Sequence, residues 1–242
     1  SVTSIGDYAF SDCSGLASIK ILPGVTSIGE HAFSLCSGLT SIEIPSSVTS
    51  IGKDAFYKCS GLTSIEIPSS VTSIGDYAFS GCSGLTSIVV SPENKTYNSA
   101  GNCNAIIETK TNTLICGCKN TKIPSSVTSI ETFAFCGCND LTNIKIPSSV
   151  KSIGHRVFWD CSSLTSIEIP SSVTSIDGEA FWFSALKTIY GTSGSYAETF
   201  AKKNGYQFVD ITVPTVTNVK AASAGKNKVK VTWDKVSGAT GY

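Results

Sequence analysis

The sequence has little charge and no long apolar run, and each absence excludes a class of function. Only 15% of its 242 residues are charged, and 18 Lys and Arg residues balance 18 Asp and Glu residues, so the formal net charge is zero. Nucleic-acid-binding domains normally carry a basic excess, so we expect no nucleic-acid partner. No apolar run approaches the roughly 18 residues that indicate a membrane-spanning helix, so we expect no membrane insertion.

Histidine is scarce, and the cysteines are mostly far apart, which disfavours catalysis and metal binding. The two histidines, His31 and His155, lie beside predicted turns, whereas a Cys–His nucleophilic pair would need one of them next to an exposed thiol. Metal sites prefer tight pairs such as Cys-x-x-Cys, but most of the ten cysteines recur once in 23 residues. We therefore expect no catalytic residues, no metal site and no cofactor.

What the sequence has in abundance is internal repetition with a period of 23 residues. The phrase LTSIEIPSSVTSIG begins at Leu39 and again at Leu62, and close variants begin at three other leucines. The unit reads L-x-x-I-x-I-P-x-x-V-x-x-I-G-x-x-A-F-x-x-C-x-x, a period typical of solenoids. Its ladder positions are Phe10, Phe33, Phe56, Phe79, Phe135, Phe158 and Phe181, with Cys13, Cys36, Cys59, Cys82, Cys138 and Cys161.

The spacing within one unit predicts its local structure. In the phrase that begins at Leu39, the two isoleucines lie on one face of a strand, and Pro45 ends that strand because it has no backbone donor. The spacing of Phe56 and Cys59 suits one helical turn, with the cysteine buried as a small apolar side chain. One unit buries too little apolar area to offset the entropy of ordering itself. The sequence therefore predicts a right-handed parallel solenoid of short strands and short helical turns over residues 1–210.

One coil is longer than the others. The coil that begins at Leu85 has 33 residues, and Cys118 occupies the leucine position of the next coil. Two apolar stretches flank residues 109–112, which predicts a β-hairpin near residues 91–117 that stands out from the solenoid. Cys103 would then face Cys118. The two are a candidate disulfide, although the sequence leaves their oxidation state open.

The end of the array is also marked. Ser195 and Glu198 form a capping box, and Gly205 is a helix stop signal, so we predict a cap helix near residues 195–204. Beyond Asp210 the pattern changes to a linker and two segments with strand-like alternation, in residues 211–242. Two strands without a partner sheet are marginal in water, so we expect self-association through this segment.

The recurring I-P, S-I-G, A-F and C positions resemble the BspA-type leucine-rich repeat over about residues 1–190. Residues 211–242 resemble the first third of a bacterial fibronectin type III domain, with Trp233 in its second strand. The first resemblance implies an extracellular bacterial protein, secreted or on the cell surface, whose partners are proteins or glycans of a host or neighbouring cell. It supplies no catalytic residues. The chain opens within the repeat pattern, so we expect it to be part of a longer protein.

These observations predict an adhesion module that binds a protein or a glycan through its repeat surface. A passive spacer that presents other domains is an alternative. A further alternative is a β-helix enzyme that acts on polysaccharide, which would need clustered carboxylates or basic groups. Asp7, Glu30 and Asp76 share one column, but Lys53 interrupts it.

Two surface columns are candidate binding sites. The first lies between the strand isoleucines and mixes both signs of charge, which a merely solvated sheet face also requires. The second follows the ladder phenylalanine and gathers aromatic side chains, which could anchor a protein, stack on sugars, or cap the last coils. The first column is Lys20, Glu43, Glu66, Val89, Lys122, Lys145, Glu168 and Tyr190, and the candidates of the second are Tyr57, Trp159 and Trp182 with the adjacent Phe183.

Overall fold

The chain winds into a parallel β-solenoid of about nine turns with roughly 23 residues in each coil. A computed structural model describes residues 2–212, 218–223 and 229–233. In chain order the strands are β1 (Ser4–Ile5), β2 (Ser18–Lys20), β3 (Ser27–Ile28), β4 (Ser41–Glu43), β5 (Ser50–Ile51), β6 (Ser64–Ile67), β7 (Ser73–Ile74), β8 (Ser87–Val90), β9 (Tyr97–Asn98), β10 (Ala105–Glu108), β11 (Thr113–Gly117), β12 (Ser129–Ile130), β13 (Ser152–Ile153), β14 (Ser166–Glu168), β15 (Ser175–Ile176), β16 (Thr188–Gly191), β17 (Gln207–Asp210), β18 (Lys220–Ser223) and β19 (Val229–Thr232), and the one α-helix of the described residues is α1 (Tyr196–Asn204).

Strands at the same position of successive coils pair in parallel. In the first strand column, β2 pairs with β4, β6 pairs with β8, and β16 lies between β14 and β17. In the second, β1, β3, β5 and β7 form one sheet, and β11, β12, β13 and β15 are neighbours in another. Equivalent residues face each other, as Ile28 faces Ile51. Each repeated side chain therefore stacks on its own copy, and a regular sequence produces a regular stack.

The repeated apolar positions form the core. Phe56 and Cys59 are both 0% exposed, which confirms the predicted register. The ring of Phe56 stacks on the rings of Phe33 and Phe79, with centroids 5.3 Å apart in both pairs. The Cys59 thiol donates a hydrogen bond to the Phe33 carbonyl over 3.0 Å. The ladder cysteines are buried as predicted, except for Cys13 in the open first coil, which is exposed.

The segment that carries the ladder phenylalanine forms successive β-turns rather than one turn of continuous helix. The Tyr57 N–H donates to the Asp54 carbonyl, three residues earlier, over 3.0 Å. Left-handed residues, Asp54 (φ 52°) and Lys58 (φ 55°), separate the turns. They redirect the intervening peptide groups, so the Phe56 N–H donates to the Ala78 carbonyl of the next coil over 2.8 Å. A continuous helix would use these groups internally and leave the coils unjoined here.

The long coil is folded into the stack. Its strands β10 and β11 form the predicted antiparallel hairpin. Contrary to expectation, the hairpin does not stand out from the solenoid, because β11 pairs in parallel with β12. Ala105, Ile106 and Leu114 are 0% exposed. Burying these apolar side chains against the neighbouring coils is more favourable than holding them in solvent.

Cys103 and Cys118 are both buried thiols at the base of this hairpin. Burial raises the pKa of each thiol above its usual range. The Cys118 thiol donates to the Asn104 carbonyl over 3.6 Å. A disulfide between the two cysteines stays a prediction.

The predicted helix closes the array as α1. The Ser195 hydroxyl accepts a hydrogen bond from the Glu198 N–H over 3.4 Å. Gly205, with φ 78°, ends the helix in the left-handed conformation that glycine adopts most readily. Phe200 packs against the last ladder ring, Phe181, with centroids 5.9 Å apart. The helix therefore covers the apolar end of the stack.

Beyond residue 212 the described residues form one antiparallel pair, β18 with β19. Val229, Val231 and Trp233 are 68%, 47% and 40% exposed. Most of the predicted linker, and the rest of the segment up to residue 242, lie outside the described residues. Within the described part of the chain, no helix has the length and apolarity needed to cross a membrane.

Candidate binding groove on the turn face

The first predicted column lies on the strand face of the solenoid. All of its members are exposed except Tyr190, which is half-buried. Lys20 faces Glu43 in register, and Lys145 faces Glu168. Opposite charges on neighbouring strands keep such a face solvated and favour the correct pairing.

The second predicted column lies on what we call the turn face, formed by residues 52–60 and their equivalents in other coils. A groove of about 750 Å³ runs along this face, and Tyr57 and Trp159 both line it. Trp182 and Phe183, in the last coil, are 46% and 70% exposed and are not part of its lining. Phe183 packs against Trp159, with ring centroids 4.5 Å apart. The structure thus brings two of the predicted aromatic residues into one site.

The floor of the groove is a column of left-handed residues, one from each of six coils. Their positive φ angles turn each backbone N–H toward the next coil, where it meets a carbonyl group. The column consists of Asp12 (φ 61°), Leu35 (φ 62°), Lys58 (φ 55°), Gly81 (φ 75°), Gly137 (φ 69°) and Asp160 (φ 56°), all of which line the groove.

The long coil contributes no residue to this floor. Instead, the Gly81 N–H donates to the Cys136 carbonyl over 3.0 Å. The equivalent bond in the preceding coil runs from the Lys58 N–H to the Ser80 carbonyl over 2.8 Å. We call this meeting of two coils the coil junction. The backbones approach so closely that a Cβ atom on Gly137 would lie 2.9 Å from the Gly81 Cα. Position 137 therefore needs glycine for space as well as for its left-handed backbone.

Aromatic and charged side chains stand beside the junction in fixed positions. Tyr77 and Phe133 meet edge to face, with ring centroids 4.8 Å apart. The Arg156 guanidinium lies 4.2 Å from the Trp159 ring centroid and 5.9 Å from that of Phe133. Its Nε donates to the Glu179 carboxylate over 2.7 Å. These contacts restrain the arginine and the tryptophan, so this wall of the groove is ordered before any ligand arrives.

Sequence reasoning missed Tyr77, Phe133 and Arg156 as groove residues, although a signal for them exists. Their residue type changes from coil to coil, while the Gly, Ala and Phe positions around them stay nearly constant. They belong to a second left-handed column, which consists of Tyr8, His31, Asp54, Tyr77, Phe133 and Arg156. Variable positions within a constant frame are where a repeat protein can place a specific surface.

Burial raises the pKa of two groove residues, Cys136 and Asp54. Burial raises the pKa of the Cys136 thiol, so at neutral pH it is protonated and is not an activated nucleophile. Burial also raises the pKa of Asp54, whose carboxylate lies 3.6 Å from the His31 Nε2. In the described ranges, no group of three or more His, Cys, Asp and Glu side chains is placed to hold a metal ion. What the groove offers is aromatic rings, hydroxyl groups and charges of both signs.

A smaller cavity of about 330 Å³ adjoins the groove at the coil junction. It arises where the long coil supplies no ladder phenylalanine between Phe79 and Phe135. The carboxylates of Asp76, Glu108 and Glu131 line it. The residues that line both spaces are Tyr77, Ser80, Phe133 and Cys136.

Solved structures with similar folds come from other bacterial leucine-rich repeat proteins. A leucine-rich cell surface protein from Faecalibacterium prausnitzii A2-165 is 29% identical, with a TM-score of 0.61, and the likeness covers 86% of this chain and 69% of that one. A leucine-rich repeat protein from Eubacterium ventriosum ATCC 27560 is 25% identical, with a TM-score of 0.51 and coverage of 80% and 67%. Another, from Bacteroides ovatus ATCC 8483, is 26% identical, with a TM-score of 0.51 and coverage of 78% and 53%.

Family comparison covers most of the chain. No curated protein sequence matched it. Residues 1–104 and 105–223 match the BspA type leucine-rich repeat region, in six copies. The matched unit agrees with the observed stack of coils of roughly 23 residues. The chain therefore belongs to the BspA-type leucine-rich repeat family.

Proposed function

We propose that this chain is a ligand-binding module of a bacterial surface protein, and that the ligand occupies the groove on the turn face. The observation that carries the proposal is a concave site of about 750 Å³ that is lined by two half-buried aromatic residues, Tyr57 and Trp159. This volume lies within the roughly 300–1,000 Å³ of typical ligand sites. An extracellular location, secreted or at the cell surface, is supported by the F. prausnitzii protein, which is described as a cell surface protein.

Rigidity of the groove also supports a binding role. Its floor is joined from coil to coil by backbone hydrogen bonds, and Arg156 is held by both Trp159 and Glu179. A ligand that enters such a site pays little for ordering the protein, so more of the contact energy remains as affinity.

The dimensions of the groove favour an extended partner. Six floor residues span five coil steps of about 4.8 Å, or about 24 Å in all. A glycan or an extended segment of a protein, from a host or a neighbouring cell, has the shape to follow it. The strand-face column is a flat surface of paired opposite charges. We interpret it as a solvated face and not as the binding site.

We infer that residues 211–242 begin an attached domain of the fibronectin type III kind. Antiparallel pairing of β18 with β19 supports this, since consecutive strands of such domains pair in this way. An enzymatic role is not proposed, because the column of Asp7, Glu30 and Asp76 is interrupted by Lys53 and the matched family is a repeat region.

A binding screen against matrix proteins, mucin and arrayed glycans tests the proposal. Trp159→Ala should weaken any binding by about tenfold or more, as loss of an aromatic anchor does. Glu66→Gln, an exposed change on the strand face, serves as the control and should leave binding unchanged. A ligand whose affinity falls in Glu66→Gln but not in Trp159→Ala would place the binding site on the strand face.

If nothing in the screen binds, a spacer role replaces the proposal. In that case an unrelated solenoid of equal length could replace this one, and the activity of any protein that carries it would be unchanged.

A further inference from the structure

The coil junction leaves a cleft in the turn face that differs from the rest of the groove. The two coils that meet there carry small residues, Ser80 in one and Cys136 in the other, at a position where the flanking coils carry Tyr57 and Trp159. The coils are in hydrogen-bond register across the junction. Tyr57 and Trp159 are therefore three coil steps of about 4.8 Å, or about 14 Å, apart. The cleft thus has an aromatic side chain at each end and small residues between.

Two buried polar atoms of this region lack a strong hydrogen-bond partner. Ser80 is 7% exposed, and the one group that engages its buried Oγ is the Cys136 thiol, which is only a weak hydrogen-bonding group. The Asn139 Oδ1 is buried without a partner. Both Ser80 and Asn139 line the groove. Buried hydroxyl and amide oxygens are rarely left unsatisfied in native proteins, so these two point to hydrogen-bonding groups of a ligand.

The charges of the groove favour a neutral ligand that is rich in hydroxyl groups. The carboxylates of Asp12, Asp54 and Asp160 outnumber the lysine and arginine, Lys58 and Arg156. Arg156 is already engaged by a carboxylate outside the groove. Carboxylates accept hydrogen bonds from hydroxyl groups but repel sulfate and carboxylate groups. A polyanionic glycan is therefore disfavoured here.

We propose, on the basis of the binding function above, that the cleft at the coil junction binds a neutral oligosaccharide. Tyr57 and Trp159 pack against sugar rings at its two ends, and Ser80 and Asn139 bond to sugar hydroxyls between them. The Tyr57 ring can present a flat apolar surface to the C–H face of a pyranose ring, and Trp159, whose ring already packs on Arg156 and Phe183, contributes its remaining apolar edge. The polar residues then select among sugars by the direction of their hydroxyl groups.

Titration of the whole chain with defined oligosaccharides, by calorimetry and saturation-transfer NMR, tests this proposal. The probes are cellotetraose, mannotetraose and chitotetraose, with a heparin tetrasaccharide and a flexible tetrapeptide as competing classes. At least one neutral tetrasaccharide should bind, and heparin should not. Tyr57→Ala and Trp159→Ala should each weaken binding by about tenfold or more. Tyr8→Ala is the matched control, since Tyr8 is 59% exposed and does not line the groove.

Ser80→Ala separates a ligand contact from a packing role. Removing a buried hydroxyl that is engaged only by a weak thiol group should change the Tm little or raise it. The proposal requires affinity for the sugar to fall nonetheless. Unchanged affinity in this variant would overturn the assignment of Ser80.

The outcomes distinguish this proposal from the general binding function. If no neutral oligosaccharide binds, while a protein from the screen binds and is lost in Trp159→Ala, the oligosaccharide proposal fails and the binding function stands. Oligosaccharide binding that Tyr57→Ala and Trp159→Ala both retain would also overturn it. Preference for heparin or for the tetrapeptide would replace the neutral sugar with another ligand class.

Discussion

Replacing a ladder phenylalanine with alanine should destabilise the fold less at the coil junction than elsewhere in the stack. Phe56→Ala and Phe79→Ala remove the same ring, but the two rings have different surroundings. Phe56 is 0% exposed and stacks on a ladder ring on each side, at 5.3 Å. Phe79 is 5% exposed, stacks on the ladder ring of Phe56, and lines the cavity of about 330 Å³ on its other side.

The expected magnitudes follow from these contacts. Truncation of a buried phenylalanine costs about 3–5 kcal/mol, and each aromatic pair contributes about 0.5–1.5 kcal/mol beyond its buried area. Phe56→Ala loses two such pairs and creates a new cavity, so its cost should lie near 5 kcal/mol. Phe79→Ala loses one pair and enlarges an existing cavity. Its cost should be lower by about 1 kcal/mol or more.

Urea unfolding followed by circular dichroism measures the two losses, and hydrogen exchange resolves where they act. Phe56→Ala should accelerate exchange in the coils before and after it, because coil interfaces are shared. Phe79→Ala should act mainly on the preceding coil, since its other face borders the cavity. Equal losses of stability, or a larger loss for Phe79→Ala, would refute this account of the junction. Exchange confined to the substituted coil would refute coupling between coils.

Four further predictions concern other parts of the chain. Gly137→Ala should destabilise the fold by about 2–3 kcal/mol in thermal unfolding, and clearly more than Gly194→Ala, which has a similar positive φ but no atom within 4 Å of the added Cβ. Iodoacetamide at pH 8 should modify the exposed Cys13 and spare Cys36, whose pKa burial raises to about 11, and mass spectrometry of the labelled chain checks this. Because the pKa of Cys36 is higher in the folded chain than in the unfolded chain (9.0), the free energy of unfolding should fall as the pH rises above 9, and unfolding at pH 8 and pH 10 checks this. Light scattering should report a mass above that of one monomer for the whole chain and the mass of a monomer for a version that ends at Asp210, and monomeric masses for both would exclude pairing through the C-terminal segment.

Local signals in the sequence predicted the regular parts of the fold correctly. The buried positions of Phe56 and Cys59 follow from their recurrence in each coil, because a side chain that packs on its own copies in both neighbouring coils is shielded from solvent. The limits of α1 follow from Ser195 and Gly205, whose effects act within one turn of helix. Such signals need no knowledge of what lies elsewhere in the chain.

The turn between strands shows where local reading becomes ambiguous. Spacings of three and four residues fit both a helical turn and successive β-turns. The choice depends on where the backbone N–H groups find acceptors. Here the Phe56 N–H donates to the Ala78 carbonyl in the next coil. A pattern of nearby residues carries no information about an acceptor that is 22 positions away.

The 23-residue period alone predicts that the chain forms a stack of coils, since apolar side chains that recur at one position of each coil can pack on their own copies. The tertiary structure alone decided that the hairpin of β10 and β11 is buried and that Gly81 meets Gly137. Pairing of β11 with β12 and burial of Ala105, Ile106 and Leu114 keep the hairpin in the stack, and both depend on contacts with other coils. At the coil junction, the coils on either side of the long coil meet. The groove continues across this junction because Gly81 and Gly137, which are 56 residues apart in the sequence, are neighbours in the structure.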